Sequence, residues 1–94
     1  MGSTPKTPHV VVYHGIGCHL CERALVQVRA LHDELGFELE EVAIDGEPEL
    51  EARYRELVPV VEIEGEQAFT YHVHEEAFRR RLSAAQSPSK PVPL

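Results

Sequence analysis

The chain has two cysteines, Cys18 and Cys21, separated by His19 and Leu20 in the stretch GIGCHLCERA. Three chemistries use such a pair: a structural staple, half of a tetrahedral metal site, or a reactive dithiol. A disulfide that closes about four residues stabilises by only about 2 kcal/mol in the chain-entropy model, so a staple has little to offer. Zinc would need two further ligands. His72 and His74 are the best placed of the six histidines, but their spacing is two rather than the three to five usual in zinc fingers. Both fit better as exposed residues at a strand end and a helix start.

The reactive reading rests on position. Cys18 follows Gly15-Ile16-Gly17, where a strand gives way to a helix, and Cys21 lies one turn further along. Residues three apart on a helix share a face, with Cβ atoms roughly 5–6 Å apart, and a small tightening reaches disulfide distance. Free backbone N–H groups and the positive end of the helix dipole both favour thiolate at Cys18, and thiolate is the nucleophile. Cys21 falls on the apolar face with Leu25 and Val28, so it is expected to be buried. Cys18 is then the attacking thiol and Cys21 the resolving one. A protonated His19 would favour thiolate at Cys18, Glu22 would oppose it, and Arg23 would partly offset Glu22. His14, at the strand end, is a further candidate neighbour.

The pattern of apolar residues supplies the elements that hold this pair. HVVVYH (His9–His14) reads as a buried strand. Leu20, Ala24, Val28, Leu31 and Leu35 then recur at helical spacing, which predicts a helix over 19–35 with Gly36 as its C-cap. FELEEVAID predicts a second strand, with a bulge where its alternation slips at Glu40–Glu41. Pro48 opens a short helix carrying Leu50, Tyr54 and Leu57. PVVEIEGEQAFTYHV predicts a hairpin around Gly65, and HEEAFRRRL a last helix with Ala77, Phe78 and Leu82 inward. The order βαβαββα implies two parallel strands joined through a helix, then an antiparallel hairpin. The result is a four-stranded mixed sheet flanked by helices.

The 94 residues fit one small domain, expected over 9–82 between loose tails at 1–8 and 83–94. A formal net charge of −7 argues against nucleic acid as a partner. The basic run Arg79-Arg80-Arg81, beside Glu75 and Glu76, reads as the solvated end of a helix. No apolar run approaches the roughly 20 residues of a membrane span, so no membrane partner is expected. MGSTPKTP has no apolar leader core, and a reducing cytoplasm follows as the expected compartment.

VVVYHGIGCHLCERALVQV, followed some forty residues on by LVPVVEIEG, resembles the thioredoxin superfamily, and within it the small bacterial glutaredoxin-like proteins. The resemblance covers residues 9–82. It implies a thioredoxin-like α/β fold and a thiol–disulfide oxidoreductase with Cys18 and Cys21 as the catalytic pair. It also implies a cis peptide before Pro59 beside the cysteines, with the backbone of Val58 pairing with the bound substrate chain. His19, with Tyr13 or His14, would tune the site. The expected partners are a disulfide-bearing protein or small thiol substrate and a thiol reductant, acting on a monomer without a cofactor.

The chain departs from both familiar branches. The residues before Cys18 are His14, Gly15, Ile16 and Gly17, without the basic residue of glutaredoxins, and TYHVHEEAF lacks the Gly-Gly that helps hold glutathione. Glutathione is therefore a weak candidate for the reductant. The Trp, the Gly-Pro between the cysteines and the strand acid of thioredoxins are missing too. A non-catalytic metal- or iron–sulfur-binding module using the same cysteines is the alternative.

Overall fold

The computed structural model describes residues 7–86. Seven elements run β1 (His9–His14), α1 (His19–Leu35), β2 (Glu38–Ala43), α2 (Pro48–Tyr54), β3 (Val60–Ile63), β4 (Glu66–Thr70) and α3 (Glu75–Gln86). The strands form a four-stranded sheet in the order β2-β1-β3-β4. β1 and β2 pair in parallel, and β3 is antiparallel to both β1 and β4. This is the open mixed sheet of the thioredoxin-like fold.

Alternation along the strands divides the interior into two layers. On one face Val10, Val12, Val61, Ile63 and Phe69 meet Val28 and Leu31 of α1 and Phe78 and Leu82 of α3. On the other, Ile44 and Val60 meet Tyr54 of α2, with Tyr13, Leu50, Leu57 and Val58 around them. The central strands β1 and β3 are thus covered on both sides, which is why HVVVYH reads as a nearly unbroken apolar run.

The bulge expected in the second strand is not there. β2 pairs with β1 in unbroken register from His9↔Glu38 to His14↔Ala43. The slip in its pattern is a change of face along a regular strand. Phe37 and Leu39 pack into the α1/α3 layer, whereas Ile44 belongs to the α2 layer. The irregularity lies instead between β3 and β4, where Val61 pairs with Phe69 but Glu62 with Gln67, so Ala68 has no partner in the register. The hairpin turn is Glu64-Gly65, both at positive φ (53° and 81°), as a two-residue type I′ turn requires.

α1 ends, and α2 begins, as the sequence implies. Gly36 caps α1 in the left-handed conformation and its N–H reaches the His32 carbonyl at 2.8 Å. Pro48 opens α2. α3 runs to Gln86, past the expected boundary at Ser83, and Ala85 still packs on the core. At the other end Pro8 is buried and its carbonyl accepts the Glu38 N–H at 2.9 Å. The rest of the two expected tails, 1–6 and 87–94, lies outside the described residues.

Ion pairs tie α1 to its neighbours. Arg29 makes two bonds, at 2.6 and 2.7 Å, to Glu41 on β2. Arg79 makes two at 2.9 Å to Glu34 of α1 and also bonds Glu75 within α3. The first arginine of the basic run is therefore a clamp between helices rather than a solvated helix end. These hydrogen bonds hold the Glu34 and Glu41 carboxyls below the ordinary glutamate range.

Two outcomes are expected. Phe78→Ala empties the shared layer of α1, α3 and the sheet, and should cost about 3–5 kcal/mol in denaturant unfolding. The lowered Glu34 and Glu41 values lend stability that is complete above about pH 4.3 and fades as pH falls through the depressed folded values. The double variant Glu34→Gln, Glu41→Gln should therefore lose less stability than the parent between pH 6 and 3. Equal losses in pH-dependent melting would show that the pairs contribute nothing.

Candidate functional site

The loop from β1 to α1 sets the position of Cys18. The β1 end is fixed where the Ile44 N–H bonds the His14 carbonyl at 2.9 Å. Gly15 packs close to Ile44, Val58 and Asp45, and a Cβ there would lie 3.9–4.0 Å from each of them. The Ile16 N–H donates to Asp45 Oδ2 at 2.9 Å. Gly17 then turns the chain at φ 71°, a conformation that disfavours any side chain.

Cys18 is the N-cap of α1, with extended backbone (φ −103°, ψ 105°). Its sulfur accepts the Cys21 N–H at 3.0 Å. A cysteine thus occupies the place in which Ser, Thr, Asp or Asn usually satisfies an unpaired N–H of the first turn. The two sulfurs lie at disulfide distance, with Cα atoms 5.1 Å apart. Exposure separates the two residues: Cys21 is 2% exposed in the core, whereas Cys18 is only half-buried.

Cys18 opens onto a cleft of about 220 Å³. Gly15, Ile16, Ile44, Asp45, Arg55 and Val58 line it, together with Glu51. Ile16 is 85% exposed at its mouth. The Val58–Pro59 peptide is cis, and Pro59 is fully buried directly before β3. The structure therefore brings Val58 to the same cleft as Cys18, with Pro59 beneath the surface. The Val58 N–H is already taken, donating to the Tyr54 carbonyl at 3.0 Å. A chain pairing with Val58 would have its carbonyl rather than both backbone groups.

The other expected residues are not among those that line the cleft. His19 is 93% exposed in its side chain, with Nδ1 3.8 Å from Glu22 Oε1. Tyr13 stacks on Tyr54 with ring centroids 4.3 Å apart, under α2. Burial first, and then the Glu62 carboxylate, push its phenol above the ordinary value. His14 closes β1, half-buried, and lines no part of the cleft. His72 and His74 are both exposed. Among the described residues no three His, Cys, Asp or Glu side chains are grouped as a metal site, and no helix there is long and apolar enough to cross a membrane.

Asp45, Glu51 and Arg55 are cleft residues that no motif in the sequence singles out. Their one local signal is Asp45-Gly46 directly after an apolar strand, which marks a turn whose acid sits at the strand end.

Other proteins are similar to this chain in sequence and fold. Residues 9–83 match the model of the glutaredoxin-like domain family (DUF836). An uncharacterized protein of Mycobacterium tuberculosis is 29% identical over 89 residues, covering 89% of this chain and 92% of the relative. The solution structure of a Nitrosomonas europaea protein superposes with a TM-score of 0.70 at 31% identity, over 86% of this chain and 98% of that one. Thioredoxin from Fasciola hepatica, at 21% identity, shares the fold with a TM-score of 0.61 over 87% of this chain and 84% of its own. With a cysteine pair at the head of α1, a thioredoxin-like fold and a match across nearly all of its described residues, the chain belongs to the glutaredoxin-like domain family (DUF836).

Proposed function

We propose that the protein is a small thiol–disulfide oxidoreductase. The observation that carries this reading is Cys18 as N-cap: its sulfur receives the Cys21 N–H at 3.0 Å, stays partly open to solvent, and lies within bonding reach of Cys21. In the reduced protein the same N–H and the helix dipole stabilise a thiolate at Cys18. Burial disfavours the charged form of Cys21, so the two thiols differ in readiness.

The reaction runs in two exchanges. The Cys18 thiolate attacks one sulfur of the substrate disulfide, forming a mixed disulfide and releasing the other substrate sulfur as a thiolate. Cys21, on losing its proton, attacks Cys18 Sγ. The Cys18–Cys21 disulfide forms, and the second substrate thiolate leaves and takes a proton from water. The substrate gains two electrons and the protein dithiol loses them. A separate thiol reductant returns the pair to the dithiol by the reverse exchanges. No resident cofactor takes part.

The partners are a disulfide-bearing protein or a small thiol compound, reached by a monomer in a reducing cytoplasm. Glutathione is the less favoured reductant, because the region after β4 has no Gly-Gly. Tyr13 supports the sheet beneath the site, and His19 acts only from its exposed edge.

Insulin reduction with either a glutathione or a thioredoxin-reductase system tests the reading. The parent protein should turn over with one of them, and Cys18→Ser should abolish activity. Cys21→Ser should accumulate a covalent mixed disulfide, which mass spectrometry detects and dithiothreitol releases. In the reduced protein Cys18 should alkylate with a midpoint in the range of about 3.5–7.5, against about 8.5 for a free thiol. Ordinary midpoints for both cysteines, with no turnover by either system, would refute the reading.

A further inference from the structure

Asp45 Oδ2 holds the Ile16 N–H at 2.9 Å, two residues before Cys18 and 29 positions away in sequence. This carboxylate is itself held by its turn. The Glu47 N–H bonds the Ile44 carbonyl at 3.1 Å, and the Gly46 N–H bonds Glu51 Oε2 at 2.8 Å. A continuous set of bonds thus runs from α2 through the end of β2 to the cysteine loop. Asp45 and Cys18 also line the same 220 Å³ cleft, so the negative charge and the sulfur face one small volume.

We propose that Asp45 is a positioning residue for Cys18, and that its charge restrains thiolate formation there while its hydrogen bond holds the loop. The proposal deepens the oxidoreductase reading and rests on Cys18 as the reactive thiol. The two effects act in opposite directions. The bond to Ile16 keeps Gly17 and Cys18 where the sulfur caps α1, and the cap favours the thiolate. The carboxylate charge across the cleft disfavours it, by like-charge repulsion.

The other charged or titratable groups near Cys18 compensate one another only in part. Of the cleft residues, Arg55 Nη1 lies 3.8 Å from Glu51 Oε1, so these two largely cancel. On α1 His19 lies beside Glu22 and balances it only when protonated, and Arg23, next in the chain, partly offsets Glu22. His14 closes β1, four residues before Cys18 in the chain. Asp45 is left as the unbalanced anion of the cleft. Its exposure keeps the effect moderate, because water screens the interaction.

Two substitutions separate the roles. Asp45→Asn keeps an oxygen acceptor for the Ile16 N–H but removes the charge. Asp45→Ala removes both. The readout is the pH midpoint of Cys18 alkylation in the reduced Cys21→Ser background, which needs neither substrate nor reductant. Asp45→Asn should lower the midpoint by roughly 0.3–1 pH unit. Asp45→Ala should give a higher midpoint than Asp45→Asn, together with faster amide exchange at Ile16 and Gly17. The proposal is overturned if Asp45→Asn leaves the midpoint unchanged or raises it, or if the Ala and Asn variants behave alike. The oxidoreductase reading is judged separately, by the parent's own midpoint and turnover, so either can fail without the other.

Discussion

The bond from the Cys21 N–H to the Cys18 sulfur is the contact on which the site depends. A helix start presents N–H groups with no partner inside the helix, and some acceptor has to meet them. Here the acceptor is a sulfur. The requirement that ends one element and begins another thereby puts a thiol in the most electropositive part of the backbone. The Cys18 sulfur that caps the helix is the same atom to which the proposed chemistry is assigned, and Cys21 receives its buried, apolar place from the same helix that Cys18 caps.

The rest of the fold serves that junction from several sides. β1 is central, covered by α1 and α3 on one face and by the α2 layer on the other, so its end at His14 is firmly placed. β2 lies parallel beside it, which brings its C-terminal end, Ile44 and Asp45, level with the cysteine loop. β3 runs the other way, so it begins, at Val60 directly after Val58 and Pro59, where β1 ends. Three separate chain segments therefore meet at one end of the sheet. A parallel neighbour contributes its end and an antiparallel neighbour its start, and the cleft is a result of that topology.

Much of this was legible in the sequence, because short-range patterns govern it. Leu20 to Leu35 at helical spacing fixed α1, and Gly36 fixed its end. Gly17 followed by Cys18 marked the helix start, and Val58-Pro59 marked the opening of β3. The less legible parts depend on pairing at long range. In the second strand, a slip of alternation has the same appearance whether the strand bulges or crosses from one buried layer to another. Only the covering of both faces by helices decides for the latter. Arg79 reads as one of three surface arginines until α3 is laid beside Glu34. Asp45 reads as a turn acid until β2 is aligned with β1, and Tyr13 looks close to the site until its ring is seen stacked on Tyr54.

The central claim is that Cys18 and Cys21 form a reversible two-electron couple. The most direct measurement equilibrates the protein in defined dithiothreitol or glutathione redox buffers and counts free thiols by alkylation and mass. The account predicts that both thiols vanish together in a single two-electron transition, at a potential between about −270 and −120 mV as in other proteins with this kind of pair. Thiols that oxidise independently, or that remain free in the most oxidising buffer, would contradict it.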